Sequence, residues 1–90
     1  MNDQSNETLL SFPCSFPIKA MGLNSNEFEI AVLSIIKKHS PDIKESAIKT
    51  RESKGGKYLS ITVTINAQTK AQIDQIYIEL SSHELVTMAL

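Results

Sequence analysis

Apolar and polar residues alternate without a break from Tyr58 to Ala67, which is the two-residue period of a strand with one buried face. A shorter alternation from Ser15 to Met21 predicts a second strand of the same kind. Pro17 has no backbone N–H to donate, so we expect that end of the strand at a sheet margin or a bulge. Gly22 is expected to break the strand. Each segment therefore supplies one core face and one polar face.

Two further segments repeat apolar residues at helical spacing. The first predicted helix starts within Asn24-Ser25-Asn26-Glu27, where an Asn or Ser side chain can cap free amides, and stops at Ser40 before a proline. The second starts with a capping box from Thr69 to Gln72 and ends near Ser82. Each helix thus has one stripe to bury. The stripes consist of Phe28, Ala31, Val32, Ile35, Ile36 and His39, and of Ile73, Ile76, Tyr77 and Leu80.

Two more strands complete the pattern. Residues 45–53 are polar and charged, which suits an edge strand because charge there discourages aggregation. The turn Lys54-Gly55-Gly56-Lys57 joins this strand to the next and predicts a β-hairpin. Residues 85–90 form a short last strand.

The elements follow the order strand, helix, strand, strand, helix, strand. Four strands and two helices with one apolar face each satisfy one another as a two-layer sandwich with both helices on one side of the sheet. Right-handed crossovers then give an α+β, ferredoxin-like βαββαβ fold with a four-stranded antiparallel sheet. We expect a flexible N-terminal arm over residues 1–11 and a single domain over residues 12–90. The second face of the sheet stays open.

Composition bounds the class of protein. The chain has 90 residues, a formal charge of −1, 41% hydrophobic and 21% charged residues, which is the balance of one small globular domain. No apolar run is long enough to cross a membrane. No positive charge precedes the first apolar pair, so no secretory signal is expected and the predicted location is the cytoplasm.

The usual motifs of catalysis and metal binding are missing from the sequence. One cysteine, Cys14, allows no internal disulfide, and His39 and His83 lie far apart with no ligand at metal-binding spacing. There is no GxSxG motif and no phosphate-binding loop. We therefore expect no enzyme, no cofactor and no metal site.

Residues across the whole predicted domain resemble the YbeD-like family of small bacterial proteins. The spacing departs from the family by one additional residue in the hairpin, at Gly55-Gly56-Lys57. The matching positions are Phe12-Pro13, Phe16, Lys19, Met21-Gly22, Ser53-Lys54-Gly55, Tyr58, Ser60, Ile65-Asn66-Ala67, Gln72-Ile73, Tyr77, Leu80, Val86, Met88 and Leu90.

The resemblance implies a fold similar to the ACT regulatory domains and a regulatory function without catalysis. On that analogy the protein senses a small carboxylate, such as lipoate or an amino acid, or modulates a partner enzyme in trans. The effector of ACT-like domains binds beside the loop from the first strand into the first helix, which here comprises Met21, Gly22, Leu23 and Asn24. Gly22 would permit close approach of the ligand, and the helix start offers free N–H groups to a carboxylate.

The alternative function is a protein-interaction adaptor. It would use the open sheet face or the edge strands, whose unpaired backbone groups can accept an added strand. A second copy of the chain is another candidate partner, because self-association would support a domain of this small size. The open face is predicted to present Lys19, Met21, Ser60, Thr62 and Thr64.

A third hypothesis is nucleic-acid binding through the basic segment Lys44–Lys57, which has a local charge of +3. RNA-binding sheets of similar topology stack bases on two or three aromatic residues, whereas only Tyr58 is predicted to point outward here. That shortage disfavours nucleic acid. The candidate partner or basic surface comprises Lys19, Lys49, Arg51, Lys54, Lys57 and Tyr58.

Overall fold

A computed structural model describes residues 11–90 of the chain. The predicted order of strands and helices is confirmed, and a short 3₁₀ helix, Glu45–Ala47, precedes the second strand. The strands are β1 (Cys14–Leu23), β2 (Ile48–Glu52), β3 (Tyr58–Ala67) and β4 (Met88–Ala89), and the helices are α1 (Asn26–His39) and α2 (Lys70–Ser82).

The four strands form one sheet in the order β2-β3-β1-β4, and all three neighbouring pairs are antiparallel. β1 and β3 pair along their whole length, from Cys14 opposite Ala67 to Leu23 opposite Tyr58. This strand order is that of the predicted ferredoxin-like α+β fold.

The core lies between the helices and one face of the sheet. Phe28 and Ile76, from the two helices, and Ile61 from the centre of β3 are completely buried. The alternation seen in β3 is therefore the separation of a core face from an open face. The other buried apolar residues are Ile18, Ala20, Val32, Ile36, Leu59, Val63, Ile65, Ala67, Ile73, Leu80 and Val86.

Hydroxyl caps start both helices, which confirms the predicted Thr69 cap and selects Ser25 among the Asn and Ser candidates at the start of α1. The Ser25 hydroxyl accepts a hydrogen bond from the N–H of Phe28 at 3.1 Å, and the Thr69 hydroxyl accepts one from the N–H of Gln72 at 3.1 Å. The Gln72 side chain accepts from the N–H of Gln68 at 2.6 Å. Its amide also donates to the carbonyl of His39 at 2.7 Å and so ties α2 to the end of α1.

The prediction that Gly22 breaks the first strand is wrong. Gly22 lies inside β1, opposite Leu59, and is buried. A Cβ atom built at this position would lie 2.6 Å from Cε1 of Phe28 and would also overlap the carbonyl oxygen of Leu85. The glycine lets α1 and the chain before β4 approach β1 closely.

The position of Pro17 also has a physical explanation. Lys19 exchanges both backbone hydrogen bonds with Leu90, at 3.0 and 2.7 Å, so its backbone groups face the β4 side of β1. Pro17 stands two residues earlier and faces the same way, beyond the part of β1 that β4 covers. Within residues 11–90 no ladder hydrogen bond needs its missing N–H.

No helix in the part of the chain that the structure describes is long and apolar enough to cross a membrane. The predicted arm over residues 1–11 lies outside the described residues except for Ser11.

Candidate functional site

The four residues of the predicted ligand loop do not share one surface. Met21 and Leu23 point to the open face of the sheet, whereas Gly22 points into the core. The Asn24 side chain donates to the carbonyl of Gly56 at 3.1 Å, and its backbone N–H donates to the carbonyl of Lys57 at 2.9 Å. These bonds fasten the loop to the β2–β3 turn. A ligand role for this loop stays a prediction.

The open face carries three long cationic side chains, Lys19, Lys49 and Arg51, all exposed. The strand register places Lys49 and Lys19 on either side of Thr62, and Arg51 beside Ser60 in the next row. We call these three residues the cationic strip. The open face is the whole surface that contains it, made of Ser15, Pro17, Lys19, Met21, Leu23, Lys49, Arg51, Tyr58, Ser60, Thr62, Thr64, Asn66, Met88 and Leu90.

No carboxylate in the described chain forms an ion pair with the cationic strip. No acidic residue belongs to the open face. The ion pairs among residues 11–90 all lie on the helices, where they join Glu79 to Lys38 and His39, and Lys70 to Asp74. The strip therefore presents positive charge without an internal carboxylate partner.

Apolar side chains border the strip on the β4 side of the sheet. Leu23, Met88 and Leu90 are 54, 48 and 59% exposed. Met88 stands opposite Met21, and the backbone pairing of Leu90 with Lys19 places Leu90 beside the cationic strip. We call Met21, Leu23, Met88 and Leu90 the apolar margin. The contribution of the last strand to the open face was not predicted, although Met88 and Leu90 alternate with Ala89 in the sequence.

A shallow depression lies on the open face between the strip and the margin. Its lining includes two cations, one carboxylate and several neutral side chains, namely Lys19, Arg51, Glu52, Met21, Tyr58 and Ser60. The structure thus brings one residue of the predicted ligand loop together with three of the predicted basic surface. Lys19 and Arg51 outnumber Glu52 in this lining, so a rim of net positive charge over a partly apolar floor suits an anionic group attached to an apolar chain.

The other predicted basic residues lie at the hairpin end. Gly55 and Gly56 have positive φ values of 86° and 77°, so the turn between Lys54 and Lys57 needs glycine. The Lys57 ammonium lies 5.5 Å from the centre of the Tyr58 ring. That contact places a cation over the one aromatic ring of the open face, where a stacked base would bind.

A polar cluster joins the two helices away from the open face. One Glu79 oxygen pairs with Lys38, and the other lies 2.6 Å from Nε2 of His39. Hydrogen bonds from Lys38 and then His39 lower the pKa of Glu79. Within residues 11–90 no three histidine, cysteine or acidic side chains are grouped to hold a metal ion.

Known proteins match almost the whole chain. Residues 7–90 match the family described as "Protein of unknown function (DUF493)". The UPF0250 protein NE1487 of Nitrosomonas europaea is 44% identical over 93% of this chain and 97% of its own. The UPF0250 protein NMA1380 of Neisseria meningitidis serogroup A is 45% identical, and that of Chromobacterium violaceum 40% identical, each over the full length of both chains.

A solved structure supports the fold. The solution structure of protein HP0495 from H. pylori matches with a TM-score of 0.70 over 90% of this chain and 85% of that one, at 14% identity. At that identity the likeness concerns the fold alone. Neither the family description nor the names of these relatives states an enzymatic activity.

Proposed function

This chain belongs to the DUF493 family of proteins of unknown function, and we propose that it is a small, non-catalytic regulatory protein that binds a partner protein in trans through its open sheet face. The observation that supports the proposal best is the cationic strip, whose side chains are exposed and have no carboxylate partner within residues 11–90. The partner surface that complements it is acidic, with apolar side chains facing the apolar margin.

Charge argues against a second copy of the chain on this face. In a face-to-face dimer whose two-fold axis passes through the strip, the symmetry would bring two cationic strips together. Like charges directly opposite each other destabilise a pairing. An acidic partner removes that repulsion and is attracted at long range, which raises the rate of association at low ionic strength.

Sensing of a small carboxylate is the second candidate function. The depression on the open face is the feature that favours it, and it is where the carboxylate would bind. Lys19 and Arg51 could hold a carboxylate while its apolar chain lies along Met21. Lipoate has this chemistry, and an amino acid with an apolar side chain shares the carboxylate and the apolar chain but adds an ammonium group. Native mass spectrometry of the purified protein with lipoate and with pooled amino acids tests this candidate, and a discrete adduct lost in Arg51→Ala supports it.

The main proposal is tested by site-specific photo-crosslinking in the native host. A photoreactive residue replaces Thr64 on the open face, and a matched probe replaces Gln75 on α2, since both positions are exposed. We expect one protein to crosslink from position 64 and not from position 75. Lys49→Glu combined with Arg51→Glu should abolish that crosslink, whereas Lys37→Glu on α1 should leave it unchanged.

The purified crosslinked partner then shows whether binding is regulatory, by its activity or assembly with and without this protein. Crosslinks from the helix probe, or crosslinks from position 64 that survive the double charge reversal, would contradict the proposed function.

A further inference from the structure

The outer edge of β2 has backbone groups that no strand of residues 11–90 satisfies. The N–H of Ser53 donates to the carbonyl of Tyr58 at 2.9 Å, and Arg51 and Lys49 stand opposite Ser60 and Thr62 in the same register. Backbone groups alternate in direction along a strand, so those of Lys49 and Arg51 face β3. The N–H and C=O groups of Thr50 and Glu52 therefore point away from the sheet. Within residues 11–90 no strand lies on that side.

The two edges of the sheet differ in what they offer. β2 has five residues, whereas β4 has two. The backbone N–H of Ile48 already donates to the carbonyl of Glu45 and closes the 3₁₀ helix, so the free segment runs from Thr50 onward. An extended segment of another protein could therefore form more backbone hydrogen bonds with β2 than with β4.

Charge on the open face selects which segment can join β2. Glu52, the acidic residue of β2, is in register with Leu59 on the core face and so lies outside the row of Lys49 and Arg51. Lys49 and Arg51 lie two residues apart and project from the open face, so an added strand would place every second side chain beside them. Acidic residues at those positions would form cross-strand pairs with opposite charge. The same cations repel a second β2, which is how charged edge strands avoid pairing with one another.

We propose that the β2 edge accepts an extended acidic segment of the partner protein as a fifth, antiparallel strand, with acidic residues at alternate positions opposite Lys49 and Arg51. This inference rests on the proposed function and adds the recognition mode: backbone hydrogen bonds to Thr50 and a carboxylate for each cation. The partner residue between the two acidic residues lies opposite Thr50, and its backbone N–H donates to the carbonyl of Thr50.

Fluorescence anisotropy with a labelled peptide tests the inference on the full chain. The probe has the sequence Gly-Thr-Val-Glu-Val-Glu-Val-Thr-Gly. N-methylation of the valine between the glutamates removes the N–H that faces Thr50, and we expect the affinity to fall about tenfold or more. N-methylation of the first glutamate alters an N–H that faces away from β2, so this matched control should bind like the parent peptide.

The protein side is tested with Thr50→Pro, which removes a donor that faces away from β3 and so should leave the β-hairpin paired. We expect it to weaken peptide binding by a similar factor, while Thr50→Val keeps the parent affinity. Circular dichroism checks that both variants fold. The N-methyl series does not depend on any protein variant.

The outcomes separate this inference from the proposed function. The peptide could lose affinity for the Lys49→Glu and Arg51→Glu variants while N-methylation leaves its affinity unchanged. It would then bind the open face without joining the sheet. That result would overturn the inference but would be compatible with the proposed function. A wild-type protein that fails to bind the probe at low salt also overturns it. The crosslinking experiment then decides the function by itself.

Discussion

Gly22 occupies a position in β1 that has no room for a side chain. The Phe28 ring and the carbonyl of Leu85 fill the space where a Cβ atom would lie. The glycine therefore allows α1 and the chain before β4 to pack closely against the sheet.

We predict that Gly22→Ala destabilises the protein by about 1–3 kcal/mol, the usual cost of forcing additional volume into a packed core. The measurement is the urea unfolding midpoint. Ser34→Ala, at an exposed position of α1, is the control and should leave the midpoint almost unchanged. An unfolding midpoint of Gly22→Ala equal to that of the wild type would contradict the packing described here.

The contacts of single residues were the hardest part to predict from the sequence. A glycine followed by a polar helix start is compatible with a strand end, a ligand approach and a tight core contact. Only the three-dimensional path of the chain places Phe28 over Gly22 and joins Asn24 to Gly56. Those contacts are distant in sequence, so no local pattern reports them.

At the scale of elements, polar bonds as well as apolar packing join the two helices. Lys38 and His39 at the end of α1 both contact Glu79 of α2, and Gln72 donates to the carbonyl of His39. Cations at the end of α1 are also favourable for its helix dipole.

Acid should loosen this junction. The pKa of Glu79 is lowered in the folded protein by its hydrogen bonds to Lys38 and His39. The stabilisation is therefore complete above the pKa of an unfolded glutamate, about 4.3, and is lost as the pH falls through the lower folded pKa. We expect the urea midpoint to fall more steeply between pH 5 and about 3 for the wild type than for Glu79→Gln. An equal fall of the urea midpoint in the wild type and in Glu79→Gln over this pH range would contradict the stabilising role of the Glu79 carboxylate.

Periodicity predicted the elements well where one face is buried. β3 and both helices match the predicted segments closely because alternation and helical stripes report burial directly. The polar stretch 45–53 gave only a weak pattern, and its first residues form a 3₁₀ helix before β2 begins at Ile48. The last strand is shorter than predicted, with Met88 and Ala89 alone.

At the scale of the molecule, the two layers differ in charge. The open face has three cations and no acidic residue within the described chain. The helices have four acidic and three basic residues, and they contain the ion pairs. Positive charge is therefore concentrated on the sheet, and an acidic partner would be attracted there more than to the helices.

The fold could be predicted from alternation and element order, and the match to the family confirms the YbeD-like resemblance. The open face could be predicted only in outline. Lys19 and Lys49 are far apart in sequence, and the register that places both beside Thr62 depends on how three strands align. The apolar margin likewise depends on the pairing of Leu90 with Lys19.

Lysine footprinting tests the central claim, that the open face is the partner-binding surface, most directly. The protein is treated with an amine-acetylating reagent, once purified and once in lysate of the native host, and mass spectrometry compares the modification of each lysine. We expect Lys19 and Lys49 to be protected in lysate, while Lys37, exposed on α1, reacts equally in both samples. Protection of Lys37 without protection of Lys19 and Lys49 would contradict it.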